Sequence, residues 1–503
     1  MPAHRADGRA ARGSTGRAAA IGLAALLLAS AAASPAAAAP IAEAVVPTRL
    51  AIVVPVTVPP RAGGLIAAEE LAALTAPGGD LTRLLDAVGS RRVTLAVDPL
   101  IAASVHELGP EAPASARAWI DRLDDAPQDR FPLLTGDADP TLLRQAGEPL
   151  PALGTVWPSP GTTSPEDVAA FADAGGLRIL LADTDLAERP DPSTALASVQ
   201  GTGVAVVDTA ASAALATAVE RPSSASLGAL RAAIAGPGGR GSVVAALGRG
   251  AGPGGLGDVL AALDADLGLD LVGLDALSGA TAEAVVADGA QPAARVELYR
   301  QVVAAEAADA AFAAIAAQPE RIREDRRLRS LALASVAWAA DPAWPAAVAE
   351  AVADSAALRA GVRIAEADSL VLADRSSIPV SIVNDLDQPV TVVVSVRAAN
   401  GRLDIDETPV TVEVPAAARV SASFDYTAVS NGSVRVTARL ASVDGATIGQ
   451  PAVATVNVQA GWETPIAAAA AGVLLLVIVV GIIRTARRVR RARGASESPA
   501  DRG

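Results

Sequence analysis

Carboxylates recur in this chain where apolar runs end. The stretch "FPLLTGDADP" (131–140) passes from apolar residues straight into Asp137 and Asp139. The same form returns at Asp98 in "RVTLAVDP", at Asp183 and Asp185 in "LRILLADTD", at Asp208 and at Asp275. Two carboxylates about 5–10 Å apart suffice for glycoside hydrolysis, one as acid and one as base or nucleophile. Several together can hold a hard cation such as Ca²⁺. The competing reading is structural. An aspartate ahead of a helix accepts orphan amide protons of the first turn, worth about 1 kcal/mol, and a following proline has no N–H to waste. On that reading each of these aspartates is a helix cap. The candidate catalytic residues are therefore Asp98, Asp137, Asp139, Asp183 and Asp185. Trp157, in "TVWPSPG", also ends a strand, where an indole can stack on a sugar ring or fill a core. Aromatic residues make up only 2% of the chain, too few for a long aromatic-lined glycan groove.

Other chemistries are excluded by composition. The chain has no cysteine, hence no disulfide, thiolate nucleophile or thiolate metal site. It also lacks lysine, which removes Schiff-base chemistry and a Walker-type phosphate lysine. Its 2 histidines are His4 and His106, so a histidine-built zinc site cannot form. His106, in "IAASVHELG", reads as a structural or solvent-facing helix residue, and no G-x-S-x-G elbow accompanies it. The loop "GRGAGPGGLGD" contains a formal G-x-G-x-x-G at Gly252, Gly254 and Gly257. It starts several residues past its strand and holds a proline, so it reads as a flexible loop and not as a dinucleotide site.

Strands and helices must place these aspartates. Short β-branched runs at 50–58, 92–99, 131–137, 154–158, 177–183, 203–209, 242–248 and 269–275 alternate with alanine- and leucine-rich helical stretches. Such alternation predicts a parallel sheet closed into a (β/α) barrel, with an open doubly wound sheet as the alternative. In a barrel the strand-end aspartates share one rim. "ARVELYRQVVAAEAADAAFAAIAAQ", "RLRSLALASVAWAA" and "PAAVAEAVADSAALRAG" then predict three helices, and the arginines of "PERIREDRRLRS" read as a solvated helix face, with a binding strip as the alternative. From 365 to 460, alternating strands broken by "NDLDQ", "ANGR", "VSNGS" and "VDGAT" predict an immunoglobulin-like β-sandwich.

Both ends carry membrane signals. Arg5, Arg9, Arg12 and Arg17 precede the apolar "AAAIGLAALLLASAAA" and small-residue cleavage sites near Ala38, the pattern of a secretory leader. Residues 466–483 are apolar or glycine throughout, a helix of roughly 27 Å, and Arg484, Arg487, Arg488, Arg490, Arg491 and Arg493 follow. The positive-inside rule keeps that end in the cytoplasm, with Trp462 as an interfacial anchor and a short disordered tail beyond. Residues 40–465 carry 30 arginines against 52 acids, a poor surface for nucleic acid.

The order of parts, together with "AVDPLI", "LLTGDADPTLL", "VWPSPG", "VAALGRG" and "SIPVSIVNDLDQPVTVVV", resembles an uncharacterised family of actinobacterial envelope proteins, typically encoded beside the lipid II flippase. That resemblance implies an envelope role near peptidoglycan precursor export and supplies no catalytic residues. The barrel plan also looks like distant glycoside hydrolase and polysaccharide deacetylase barrels. It departs from the deacetylases, which need an aspartate pair on the first strand and a histidine pair; here the first strand is "LAIVVPVTVPP".

The expected organisation is thus multidomain, α/β followed by β. It comprises a signal peptide (1–39), a (β/α) barrel-like domain (40–290), a helical segment (291–362), a β-sandwich (363–461), one transmembrane helix (464–484) and a basic cytoplasmic tail (485–503). The expected function is that of a single-pass cell-membrane protein facing outward, non-catalytic, without cofactor or metal. Its partners would be the bilayer, through residues 466–483, and a cell-wall glycan or envelope membrane protein. A metal-free glycoside hydrolase using the rim aspartates is the alternative, and a Ca²⁺-stabilised scaffold a third reading.

Overall fold

The computed structural model describes residues 46–188, 191, 193–236, 239–279, 281–365, 377–406, 408–458 and 463–493. The expected signal peptide, Trp462 and the last ten residues lie outside the described residues.

The first part alternates strand and helix. Its strands are β1 (Thr48–Val56), β2 (Thr94–Val97), β3 (Asp129–Pro132), β4 (Thr155–Val156), β5 (Arg178–Ala182), β6 (Leu186–Glu188), β7 (Leu196–Val199), β8 (Thr202–Val207), β9 (Ser242–Ala246), β10 (Leu269–Val272), β11 (Ala282–Glu283) and β12 (Val285–Val286). The helices between them are α1 (Ala68–Thr75), α2 (Asp80–Val88), α3 (Pro99–Leu108), α4 (Ala114–Asp124), α5 (Pro140–Ala146), α6 (Pro165–Asp173), α7 (Thr209–Glu220), α8 (Ser224–Ala235) and α9 (Leu256–Asp264). Parallel pairing runs β3–β2–β1–β9–β8–β5–β4. β9 takes one side of β1, and the other side is shared by β10 at Thr48–Ala51 and β2 at Val53–Val56. Among the described residues no ladder joins β3 to β4, so the sheet curls into a half-barrel.

Side-chain alternation along β1 divides two cores. Leu50, Ile52, Val54 and Val56 point to the surrounding helices and pack with Leu71, Leu100 and Leu256. Ala51 and Val53 point the other way, into an interior shared with Phe131, Trp157, Leu180 and Val244. Each fully buried leucine contributes roughly 1.5–3 kcal/mol, which is why nearly continuous apolar runs are spent on these strands.

The helical segment comprises α10 (Ala293–Phe312), α11 (Pro319–Leu333) and α12 (Trp344–Ala360). The middle helix departs from the 327–340 expected. It starts earlier because Pro319 and Glu320 suit a first turn, and it stops at Leu333, where the Ser335 side chain accepts the Ala337 amide of a 3-10 turn. This segment shares a core with the parallel-sheet part: Leu142 and Leu143 of α5 pack with Val296, Tyr299, Leu333 and Trp344.

Two four-stranded antiparallel sheets follow. One has the order β13 (Val362–Ile364), β14 (Ser377–Asn384), β18 (Ala418–Ala428), β16 (Leu403–Ile405). The other runs β17 (Val410–Val414), β15 (Val390–Ala398), β19 (Gly432–Ala441), β20 (Thr447–Val458). Ile378, Val380, Ile382, Val392, Val394 and Val436 of the two sheets share one core, which Phe312 and Ile315 of the helical segment join. The turn in "NDLDQP" is pinned by buried Asn384, whose amide donates to the carbonyls of Gln388 (2.9 Å) and Pro415 (2.9 Å). Helix α13 (Glu463–Arg493) contains a span, Ala468–Arg490, long and apolar enough to cross a membrane. The helix continues through the arginine cluster to Arg493, so 485–493 of the expected disordered tail are helical, and 494–503 lie outside the described residues.

Candidate functional site

The structure gathers three of the five candidate aspartates on the rim where β2 and β3 end. Asp98 caps α3: its carboxylate accepts the Leu100 amide at 2.9 Å, and also the Gly136 amide at 2.9 Å from the neighbouring strand end. Asp139 caps α5, accepting the Thr141 amide (3.1 Å) and hydroxyl (2.7 Å) on one oxygen and Gln291 Nε2 (2.6 Å) on the other. Asp137 caps nothing. Its φ is +51°, a left-handed conformation that costs a non-glycine residue about 1 kcal/mol or more. Its Oδ1 lies 3.3 Å from Arg249 Nε, and its buried Oδ2 has no hydrogen-bond partner. The capping explanation therefore holds for Asp98, Asp139 and Asp208, which accepts the Ala211 amide at 2.7 Å, and fails for Asp137.

The remaining candidates bind elsewhere. Asp183 accepts the Thr209 amide (3.2 Å) and hydroxyl (2.7 Å) at the start of α7, and Asp185 accepts the amides of Gly161 and Ala182. Neither precedes an α-helix; both tie loops together. Asp275 pairs with Arg178 at the surface. Trp157 is buried at 9% exposure, and its ring is stacked against the Arg249 guanidinium, 3.5 Å from the ring centroid. The face proposed for a sugar thus carries a cation. His106 is exposed on α3. The glycine-rich loop packs on the end of α7, where the Gly255 amide donates to the Val219 carbonyl at 2.9 Å.

Arg249, from the loop after β9, is the residue that the aspartate pattern did not announce. Besides facing Asp137 and Trp157, it donates to the Trp157 carbonyl at 2.7 Å. Its one sequence signal is position: an arginine between two glycines at the end of a fully buried strand. Gln291, Thr141 and Arg295 carried no signal, since their partners come from distant parts of the chain. Arg295 donates to the Ser335 carbonyl at 3.1 Å and lies over the Trp344 ring.

Burial governs the electrostatics. It pushes the Asp98 carboxyl up to about 7 and Asp137 up to about 6, the latter despite the opposing charge of Arg249. It likewise pulls Arg249 below the ordinary arginine value, against the pull of Asp137 and Asp139. A carboxyl near 7 beside one near 6 is the equipment of an acid–base pair. Access is lacking. Asp98, Asp137 and Asp139 are 1%, 3% and 0% exposed. The helical segment lies directly on them: the Asp139 amide donates to the Ala334 carbonyl at 2.9 Å, and Ala138 bridges to Ser335. The cavity touching Asp137 and Trp157 measures ≈ 60 Å³. That is room for a water or two, against the roughly 300–1,000 Å³ of ligand pockets. Among the described residues no three His, Cys, Asp or Glu side chains are grouped to hold a metal ion.

Gly136 makes the close cover possible. Its φ is +72°, and a Cβ there would stand 3.1 Å from the Ala332 backbone of α11. Gly136→Ala is expected to lower the unfolding free energy by about 1–3 kcal/mol. An unchanged denaturation midpoint would show that α11 does not press on the rim.

Known proteins offer distant likenesses. No curated protein matches the chain. Among solved structures, native α2-macroglobulin of Escherichia coli is 18% identical over 20% of this chain and 16% of that one, with a TM-score of 0.16. The chain therefore spans under a fifth of that structure. WR4, a Caenorhabditis elegans MSP family member, is 12% identical over 20% of this chain and 98% of its own, at 0.16. The 4-α-glucanotransferase of Thermococcus litoralis is 10% identical over 78% of this chain and 86% of its own, at 0.37. TM-scores this low carry no argument. A family match is stronger: residues 158–501 match the family of unknown function DUF6049, a stretch that includes "VAALGRG" and "SIPVSIVNDLDQPVTVVV" but begins after "LLTGDADPTLL". With more than half of its length matched, the chain belongs to the family of unknown function DUF6049.

Proposed function

We propose that this protein is a single-pass, membrane-anchored cell-envelope protein that works without catalysis. Its outward-facing part binds a cell-wall glycan or an envelope membrane protein near the export of peptidoglycan precursors. In this reading the leader directs export, and the arginines after the membrane span hold the C-terminus in the cytoplasm of an actinobacterial cell. The half-barrel is a (β/α) barrel left open between β3 and β4, and the paired antiparallel sheets are an immunoglobulin-like spacer to the membrane. One observation carries the non-catalytic reading: the rim aspartates are buried beneath the helical segment, bound to helix amides, Gln291 and Arg249.

The alternative, a metal-free glycoside hydrolase, draws on the raised Asp98 and Asp137 carboxyls and the unpartnered Asp137 Oδ2. The test is to incubate the detergent-solubilised protein with peptidoglycan fragments and lipid-linked precursors and follow substrate mass, with Asp137→Asn/Asp139→Asn in parallel. No mass change, with a lower melting temperature in the variant, is expected. A product that vanishes in a variant as stable as wild type would establish the hydrolase instead.

A further inference from the structure

A second cavity shares no residue with the covered aspartates. It is a cleft of ≈ 1030 Å³ between α11 on one side and α3 with the Gly63–Leu65 loop on the other, closed at one end by Asp387 and Gln388 of the β14–β15 turn. Its α11 wall presents five arginines within nine residues, Arg321, Arg323, Arg326, Arg327 and Arg329, which outnumber the four acids of the lining, Glu107, Glu324, Asp325 and Asp387. These arginines divide in two. Arg327 reaches Glu148 at 2.6 Å, and Arg326 stands 3.7 Å from the buried Asp309, so both are engaged with the protein's own acids. Among the described residues the ion pairs of Arg321, Arg323 and Arg329 lie at the surface, with Asp387 (3.4 Å), Glu320 (2.5 Å), and Asp325 (2.9 Å) and Asp354 (3.8 Å) respectively. Exposed pairs of this kind give way readily to a charge-assisted, bidentate bond from a phosphate.

The loop across from them adds donors. Among the described residues the Gly63 and Gly64 amides have no hydrogen-bond partner, although Gly64 is buried. At Gly64 a Cβ would lie 3.3 Å from Asp325 Oδ1, so the residue type keeps this backbone close against α11.

We propose that this cleft binds a phosphate oxyanion, held by Arg321, Arg323 and Arg329 together with the Gly63 and Gly64 amides. A free pyrophosphate and an anionic lipid headgroup present the same chemistry, and the experiment separates them. His106 lines the cleft, and the sequence has one other histidine, so ¹³C-histidine labelling yields an almost single-signal reporter. The full chain, in phosphatidylcholine nanodiscs, is titrated with pyrophosphate; a second sample is prepared in phosphatidylglycerol nanodiscs without pyrophosphate. A saturable shift of the His106 signal with pyrophosphate identifies a free ligand. A shift in phosphatidylglycerol alone identifies a headgroup. Arg321→Gln/Arg323→Gln, at one exposed and one half-buried position and expected to melt like wild type, weakens the response by about tenfold or more, as the loss of charge-assisted bonds requires. Silence of the His106 signal in both samples, or an undiminished response in the double variant, overturns the proposal.

Discussion

Arg249→Ala should cost about 3–5 kcal/mol of unfolding free energy, the largest effect expected from any single side chain at the rim. Three losses combine. Asp137 is left as a buried carboxylate without its counter-charge, since its second oxygen already has no partner. The Trp157 carbonyl loses its donor at 2.7 Å. The indole loses the cation stacked upon it. The companion variant tells these losses apart. Asp137→Asn removes the charge that Arg249 neutralises, so Arg249→Ala/Asp137→Asn should be less damaged than the sum of the two single changes predicts. Denaturant unfolding of the four proteins at one pH measures this coupling. If Arg249→Ala unfolds within about 0.5 kcal/mol of wild type, the range of ordinary surface changes, the rim is not held by this contact.

The second large effect is a dependence of stability on pH centred on Asp98. Its carboxyl is raised from 3.8 to about 7, chiefly because burial disfavours the charged form. The folded protein therefore keeps a proton at Asp98 that the unfolded chain releases above about pH 4. Where the folded state binds more protons, stability declines as pH rises. Asp98 contributes its full stabilisation below pH 3.8 and loses it as pH climbs through about 7, and Asp137, raised to about 6, acts in the same direction. Asp98→Asn keeps an oxygen for the Leu100 and Gly136 amides and abolishes the titration. At pH 8 it should be more stable than wild type by a few kcal/mol, since each tenfold change in proton affinity is worth about 1.4 kcal/mol, while near pH 4 the two should coincide. Urea unfolding at pH 4.5, 6 and 8 reads the difference. Equal destabilisation of Asp98→Asn at every pH would mean that the folded state needs the carboxylate itself.

These expectations rest on a site only partly written in the local sequence. Asp98–Pro99 and Asp139–Pro140 announced themselves, because a cap is a local device: acceptor, first-turn amide and proline lie within three residues. The capping box of α6 is the same case, with Ser164 and Asp167 exchanging hydrogen bonds through the backbone at 2.9 and 3.2 Å. The strand runs, the three-helix segment and the long apolar C-terminal helix were also legible, since each depends on apolar patterning over several to twenty residues. Asp137 was legible as a carboxylate but not as an uncapped, ion-paired one. Its partner lies 112 positions away, and nothing in "TGDADP" encodes a left-handed φ held against a glycine that packs under α11.

By itself, then, the sequence determined the succession of strand–helix alternation, helices and antiparallel strands, the absence of thiol and lysine chemistry, a helix long and apolar enough to cross a membrane, and the helix caps. Tertiary structure alone decided whether the strand-end aspartates would face solvent. Covering them took Leu142, Leu143, Tyr299, Leu333 and Trp344, from segments up to about two hundred residues apart, packing into one core over the rim. Burial of that core draws the helical segment onto the carboxylates. The same desolvation that raises Asp98 and Asp137 closes their route to a substrate. Caps and spans are set by neighbours along the chain, whereas exposure and charge pairing are set by what folds back across it.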